Sequence, residues 1–244
     1  MAPLEVPTDL GPIWFWGADT GQPAILLITG LFAEPGQWEL DVSLLPPGFD
    51  YLRAHLPGNH CPAIAELSVE ALGRAFSQAI ATRFEGRPVL VAGFSVGALV
   101  ALSVRAPNVG RLFLVEPPLR THDLWPVVDW ASGPLSDDQR TLLFNTLGVG
   151  AEGLTQRDHT GLLARLDKPA EVILGAVPLL PPRRLDALPS LVDEPSRALL
   201  ATHPLIRTAV VEGAGHNVSG DAAMTVLRAL MASARQAFFA PGGR

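Results

Sequence analysis

The stretch Pro88–Leu102, PVLVAGFSVGALVAL, holds a serine between two glycines in the pattern Gly93-Phe94-Ser95-Val96-Gly97. The apolar run Val89–Ala92 predicts a buried strand, and the small residues after Gly97 predict a helix. Ser95 then falls at the apex of a sharp strand-to-helix turn. Glycines on either side let such a reversal form without Cβ clashes. The turn lifts the hydroxyl clear of the sheet. It also sets Ser95 at a helix N-terminus, where unpaired backbone N–H groups, beginning with that of Val96, face any oxyanion formed on a bound acyl group. The chemistry this suits is nucleophilic attack on an acyl carbon. A serine hydroxyl is a poor nucleophile at neutral pH, so it requires an imidazole to take its proton and a carboxylate to orient that imidazole. A glycine-flanked serine that only forms a turn or a cap is the competing reading.

Those partners have to be positioned by the rest of the chain. Its 244 residues are 48% hydrophobic and 17% charged, which suits one α/β domain with a large core. A formal net charge of −6 argues against nucleic acid or an anionic membrane surface as partner. Cys61 is the single cysteine, so no internal disulfide forms, in keeping with a reducing cytoplasm. The N-terminal MAPLEVPTDLGP lacks the basic and apolar regions of a secretory signal. No stretch approaches the ~20 uncharged apolar residues of a membrane helix, so a soluble cytoplasmic protein is expected.

Apolar runs at Pro12–Trp16 and Ala24–Thr29, separated by the polar turn Ala18–Pro23, predict a leading hairpin. Further strands are predicted at Phe49–Ala54, Arg111–Val115, Ala170–Leu174 and Ile206–Glu212, and helices at Gln37–Leu45, Glu66–Arg83 and Asp221–Phe239. Strand alternating with helix implies a mostly parallel sheet of about eight strands with helices on both faces. Leu119–Lys168 differs in texture. It reads as short helices without strands, one of them N-capped by Ser136.

In its strand–turn–helix setting, the Gly93–Gly97 pattern resembles the nucleophile elbow of the α/β-hydrolase superfamily. The loop Gly213-Ala214-Gly215-His216-Asn217, before the closing helix, resembles that family's catalytic-histidine loop, which implies His216 as general base. Thr29-Gly30-Leu31-Phe32 stands where the family has a His-Gly pair followed by the second oxyanion-hole donor. The resemblance gives that role to the Leu31 backbone N–H, with Thr29 replacing the histidine. His55-Leu56-Pro57-Gly58-Asn59-His60 looks like the family's D-x-P-G-x-G turn, with His55 for the aspartate and His60 for the second glycine. Two histidines beside Cys61 invite a metal-site reading, but the spacing matches no familiar zinc pattern, and no metal or other cofactor is expected.

The family's usual acid position, three residues beyond Gly175, holds Pro178. Some members carry the acid at the end of the strand after the elbow helix, where this chain has Glu116. It follows four apolar residues and precedes two prolines, so it emerges at the carboxyl edge of the sheet, where parallel-sheet active sites gather. Glu116 leads Asp186, Asp193 and Glu194 as the acid.

The resemblance implies a hydrolase core in residues 1–118 and 169–244 and a helical cap insertion in 119–168. Trp125, Trp130, Phe144 and Leu147 would lie on the cap's underside, and Phe32 and Phe94 would complete the substrate pocket. The alternative for each cap aromatic is that it only holds the cap together. The expected function is a serine hydrolase that cleaves an ester, thioester or related acyl bond of a small to medium hydrophobic molecule through an acyl-enzyme on Ser95. Acyl transfer or C–C cleavage on the same residues is one competing reading, and a hydrolase-like binding protein without turnover is another. A small acyl compound is the expected partner, and the sequence carries no signal of oligomeric state.

Overall fold

The computed structural model describes residues 2–33, 44, 47–184 and 186–239. The helix expected over 37–45 falls, but for Leu44, outside them. In chain order the elements are β1 (Leu4–Val6), β2 (Ile13–Gly17), β3 (Ala24–Ile28), β4 (Asp50–Ala54), α1 (Val69–Arg83), β5 (Val89–Phe94), α2 (Val96–Ser103) and β6 (Val109–Val115). A 3-10 helix (Trp125–Ser132), α3 (Asp137–Leu147), β7 (Val149–Gly150), β8 (Gly153–Leu154) and α4 (Gly161–Ala164) follow. The chain closes with β9 (Ala170–Gly175), α5 (Glu194–Thr202), β10 (Ile206–Val211), α6 (Val218–Asp221) and α7 (Ala223–Phe239).

Eight strands form one sheet in the order β1-β2-β4-β3-β5-β6-β9-β10. It is parallel from β4 through β10, and β2 runs antiparallel to both of its neighbours. β3, β5 and β9 are buried at every position, as unbroken apolar runs in the middle of a parallel sheet should be. The expected hairpin of β2 with β3 does not form, because β4 lies between them. β3 is apolar on both faces and takes a parallel neighbour on each side. The polar turn after β2 is spent on β4 instead: the Asp50 carboxylate accepts from the N–H groups of Thr20 (2.9 Å), Gly21 (3.0 Å) and Gln22 (3.1 Å). Arg87 also donates to it at 2.6 Å.

Alternation along the strands divides the core between the two faces of the sheet. On one side Leu26, Ile28, Val91 and Leu114 meet Leu72, Phe76 and Ile80 of α1 together with α2. On the other, Leu27, Leu90, Phe113 and Ile173 meet Val226, Leu230 and Ala234 of α7. α1 begins where Ser68 accepts from the Ala71 N–H, a cap whose removal costs about 1 kcal/mol.

Residues 119–168 contain the 3-10 helix, α3 and α4, and also a small antiparallel pairing of β7 with β8, which corrects the strand-free expectation. α3 carries a full capping box, Ser136 with Gln139, and ends at Gly148 in the left-handed region. Leu119, Leu124, Val127, Leu142, Leu143 and Leu147 are buried in the same cluster as one sheet face. Among the described residues no helix is long and apolar enough to cross a membrane.

Candidate active site

Ser95 sits between β5 and α2 at φ 54°, ψ −122°, in a region that L-residues occupy only when the surroundings hold them there. The glycines around it are required by close backbone approach. A Cβ on Gly93 would come 2.4 Å from the Gly97 oxygen, and one on Gly97 would come 2.3 Å from the oxygen of Ile28. Bare backbone at these positions brings the end of β3 and the Thr29–Leu31 turn against the first turn of α2. The Val96 and Leu31 N–H groups donate to no backbone carbonyl among the described residues. Two donors are thus available beside the serine.

Glu116 follows β6 directly, at φ 53°, and is 1% exposed. Its carboxylate is fully engaged. Oε1 accepts from the Gly175 N–H at 2.7 Å and the Ser190 hydroxyl at 2.9 Å. Oε2 accepts from the Leu191 N–H at 3.0 Å and lies 3.1 Å from His216 Nδ1. That contact orients the ring so that Nδ1–H donates and Nε2 is left as the basic nitrogen. The His216 loop is stapled to the segment after β9. Val177 N–H donates to Ala214 O at 3.0 Å, and His216 N–H donates to Leu188 O at 2.9 Å. Gly175 is bare for the same reason as Gly97, since a Cβ there would lie 2.2 Å from the Gly215 oxygen.

None of the other candidate acids is in contact with His216. Asp193 caps α5 by accepting from Ser196 N–H at 2.9 Å and pairs with Arg120 at 3.5 Å. Asp186 is exposed, as is Glu194, which stands 3.7 Å from Arg197. Pro178 is exposed on the loop after β9. The parts of the site that sequence reasoning did not find are Ser190, the Leu191 N–H and α5, whose Arg197 stands behind them. Their positions on the Glu116 carboxylate follow from tertiary folding, and no motif marks them.

Ser95, Glu116 and His216 line one cavity of about 200 Å³ with Gly30, Leu31, Phe94, Val115, Trp130, Asn217 and Ser219. Ser95 and His216 share it without a direct hydrogen bond, and such contacts commonly tighten only when substrate is bound. Of the aromatic residues expected around the pocket, Phe94 and Trp130 line it. Phe32 packs edge-on against Trp130, ring centres 5.8 Å apart. Trp125 instead donates its indole N–H to Leu179 O at 3.0 Å, away from this cavity. Phe144 is exposed on α3 beneath the Arg157 guanidinium, in a separate groove. Leu147 is fully buried.

His55 and His60 lie close behind the Thr29–Leu31 turn, ring centres 5.4 Å apart, with His55 Nδ1 3.3 Å from Thr29 Oγ1. Among the described residues no three His, Cys, Asp or Glu side chains are grouped so as to hold a metal ion. Burial, reinforced by the charges of Arg53 and His60, pushes His55 down to about 4 from its ordinary 6.5. The unfolded chain therefore binds a proton near pH 6.5 that the folded chain refuses until about pH 4, so stability falls as pH drops through that window. We expect about 2 kcal/mol to be lost at pH 5 relative to pH 7 from this group. Urea unfolding at the two pH values measures it, and His55→Gln should remove that part of the slope. An unchanged slope in the variant would show that His55 is not the source.

Neither family models nor the sequences of curated proteins give a match. Solved structures do. A thermophilic esterase from Thermogutta terrifontis is similar with a TM-score of 0.69 at 17% identity, over 97% of this chain and 99% of that one. A hydrolase from Oleispira antarctica is similar with a TM-score of 0.70 at 13% identity, over 91% and 94%. The thioesterase domain from the curacin biosynthetic pathway gives 0.61 at 18% identity, over 95% and 100%.

Proposed function

We propose that this chain, which has the α/β-hydrolase fold, is a serine hydrolase that cleaves an ester, thioester or related acyl bond of a small neutral substrate. The observation that carries the reading is the 3.1 Å contact of Glu116 Oε2 with His216 Nδ1, on an imidazole that shares its cavity with Ser95. His216 Nε2 takes the Ser95 proton as Oγ attacks the acyl carbon, and Glu116 stabilises the imidazolium that results. The Val96 and Leu31 N–H groups receive the oxyanion. The imidazolium then gives its proton to the leaving group, and the base activates a water that releases the acyl group from Ser95. The esterase, hydrolase and thioesterase named among the similar structures support acyl chemistry. An acidic chain with one cysteine supports a cytoplasmic setting.

The cavity encloses about 200 Å³, small beside typical ligand pockets, which suits a short acyl part. Among the described residues the lining, apart from Glu116 and His216, is uncharged, which suits a neutral acyl group. Residues 119–168 act as the cap, and Trp130 is the part of it that closes the pocket. Trp130→Ala is expected to extend the accepted acyl chain by several carbons, raising kcat/KM on longer aryl esters relative to acetate and butyrate. An unchanged chain-length profile would remove Trp130 from the pocket's role.

The proposal as a whole is tested by fluorophosphonate labelling and an aryl-ester series on the same preparation. Rapid labelling confined to Ser95, with turnover, is the expected result. No labelling would leave a binding protein without turnover, while labelling with transfer to an added alcohol as the main product would make the chain an acyltransferase.

A further inference from the structure

Behind Glu116 lies a second tier of groups that the chemistry above does not use. Ser190 Oγ, buried, donates to Glu116 Oε1 at 2.9 Å and itself accepts from Arg197 Nη2 at 2.6 Å and from Val192 N–H at 3.3 Å. A hydroxyl has one proton. With its oxygen receiving two donors, that proton goes to Glu116, and the adjoining guanidinium polarises the O–H toward the carboxylate. Arg197 also donates to Gly175 O at 2.6 Å and to Val192 O at 3.0 Å. These carbonyls belong to the end of β9 and the 190–192 turn, the two segments whose N–H groups hold Glu116. One cation therefore clamps both sides of the carboxylate's cradle.

Other charges do not replace it. Glu194, 3.7 Å from Arg197, is 81% exposed and screened by water. Asp193 is turned to the α5 N-terminus and Arg120, and Asp221 accepts from Gly215 N–H at 3.0 Å. A carboxylate buried as deeply as that of Glu116 is costly unless its charge is met by donors and a cation. Its backbone, at positive φ, adds a conformational demand that the surroundings have to offset.

We infer that Arg197, acting through Ser190, is a positioning residue that counterbalances the buried Glu116 charge and fixes the carboxylate in the orientation that meets His216. The inference rests on the proposed hydrolase chemistry only for its effect on rate. Its structural core is tested separately by proton NMR of the His216 Nδ1–H, which needs no turnover. In the wild type that proton should be protected from exchange. Arg197→Met and Ser190→Ala should each speed its exchange at least tenfold, while Arg197→Lys, keeping the charge, should restore most of the protection.

Where the chain turns over, kcat should fall by about 10–100-fold in the first two variants with KM held within about twofold. The double variant should be little worse than either single one. A general packing role for Arg197 would lower the melting temperature yet leave the imidazole proton protected and KM and kcat moving together. That result would overturn the inference. Should Arg197→Met fail to fold, Ser190→Ala and Arg197→Lys carry the same test. Wild-type protein that shows the protected proton but neither labels nor turns over would refute the hydrolase reading and leave this one standing.

Discussion

Ser95→Ala is expected to abolish turnover, by about 10⁵–10⁶-fold in kcat, and to abolish fluorophosphonate labelling, because in the proposed mechanism the acyl group is carried on the Ser95 hydroxyl. The fold should be indifferent to the change. The side chain makes no cap hydrogen bond at the α2 N-terminus, and alanine meets the same positive-φ demand as serine, so stability should move by no more than about 0.5 kcal/mol. Thermal melts run beside activity assays decide the matter. Retained activity in a well-folded Ser95→Ala protein would end the covalent mechanism, whatever the fate of His216.

The second large effect is expected at Glu116→Gln, and here activity and stability should fall together. Backbone N–H donors meet both carboxylate oxygens, Gly175 on Oε1 and Leu191 on Oε2. An amide offers one oxygen and one NH₂, so whichever way it turns, a donor confronts a donor. Leaving one buried N–H unmatched costs about 1–3 kcal/mol, readable as a lower melting temperature. If the NH₂ faces His216, the ring takes the wrong tautomer for a base at Nε2, a fault that costs about 10⁴-fold in kcat in a serine protease. Asp193→Asn and Asp186→Asn, by contrast, should leave kcat within about twofold, because neither side chain reaches the imidazole. A Glu116→Gln enzyme with wild-type kcat would show that the imidazole does not depend on this carboxylate.

Local chemistry made the elbow, the histidine loop and the parallel sheet legible from sequence. Gly93 and Gly97 are needed at fixed offsets from Ser95, and buried strands such as Ala24–Ile28 announce themselves as unbroken apolar runs. What remained hidden depends on which distant segment a group meets. Nothing in Pro12–Thr29 says that β4 will come between its two strands, since the deciding contact is Asp50 reaching back to the turn at residues 20–22. α5 has Leu200 and Ser196 as its buried residues, too thin an apolar stripe to read as a helix, although Asp193 and Pro195 mark its start. Trp125 and Phe144 illustrate the same limit within 119–168, where composition names the aromatic residues but not the side each one turns to.

Glu116 is carried by the sheet rather than by a loop. Ser95 N–H donates to Val115 O at 2.8 Å and Glu116 N–H to Ile173 O at 3.0 Å, so the backbone ladder itself fixes the spacing between Ser95 and Glu116. Under the proposed mechanism the stretch around Pro178 has no part in that spacing. Pro178, Leu180, Pro181, Pro182, Arg184, Asp186 and Ala187 are all exposed. Among the described residues from 178 to 191, the Leu188–Leu191 stretch is the part tied to Glu116 and the His216 loop, through Leu188 O, Ser190 and the Leu191 N–H. Leu179, whose carbonyl accepts from the Trp125 indole, is the buried residue among those described from 178 to 187, so exchange of the exposed positions around it is expected to leave the Glu116–His216 contact in place.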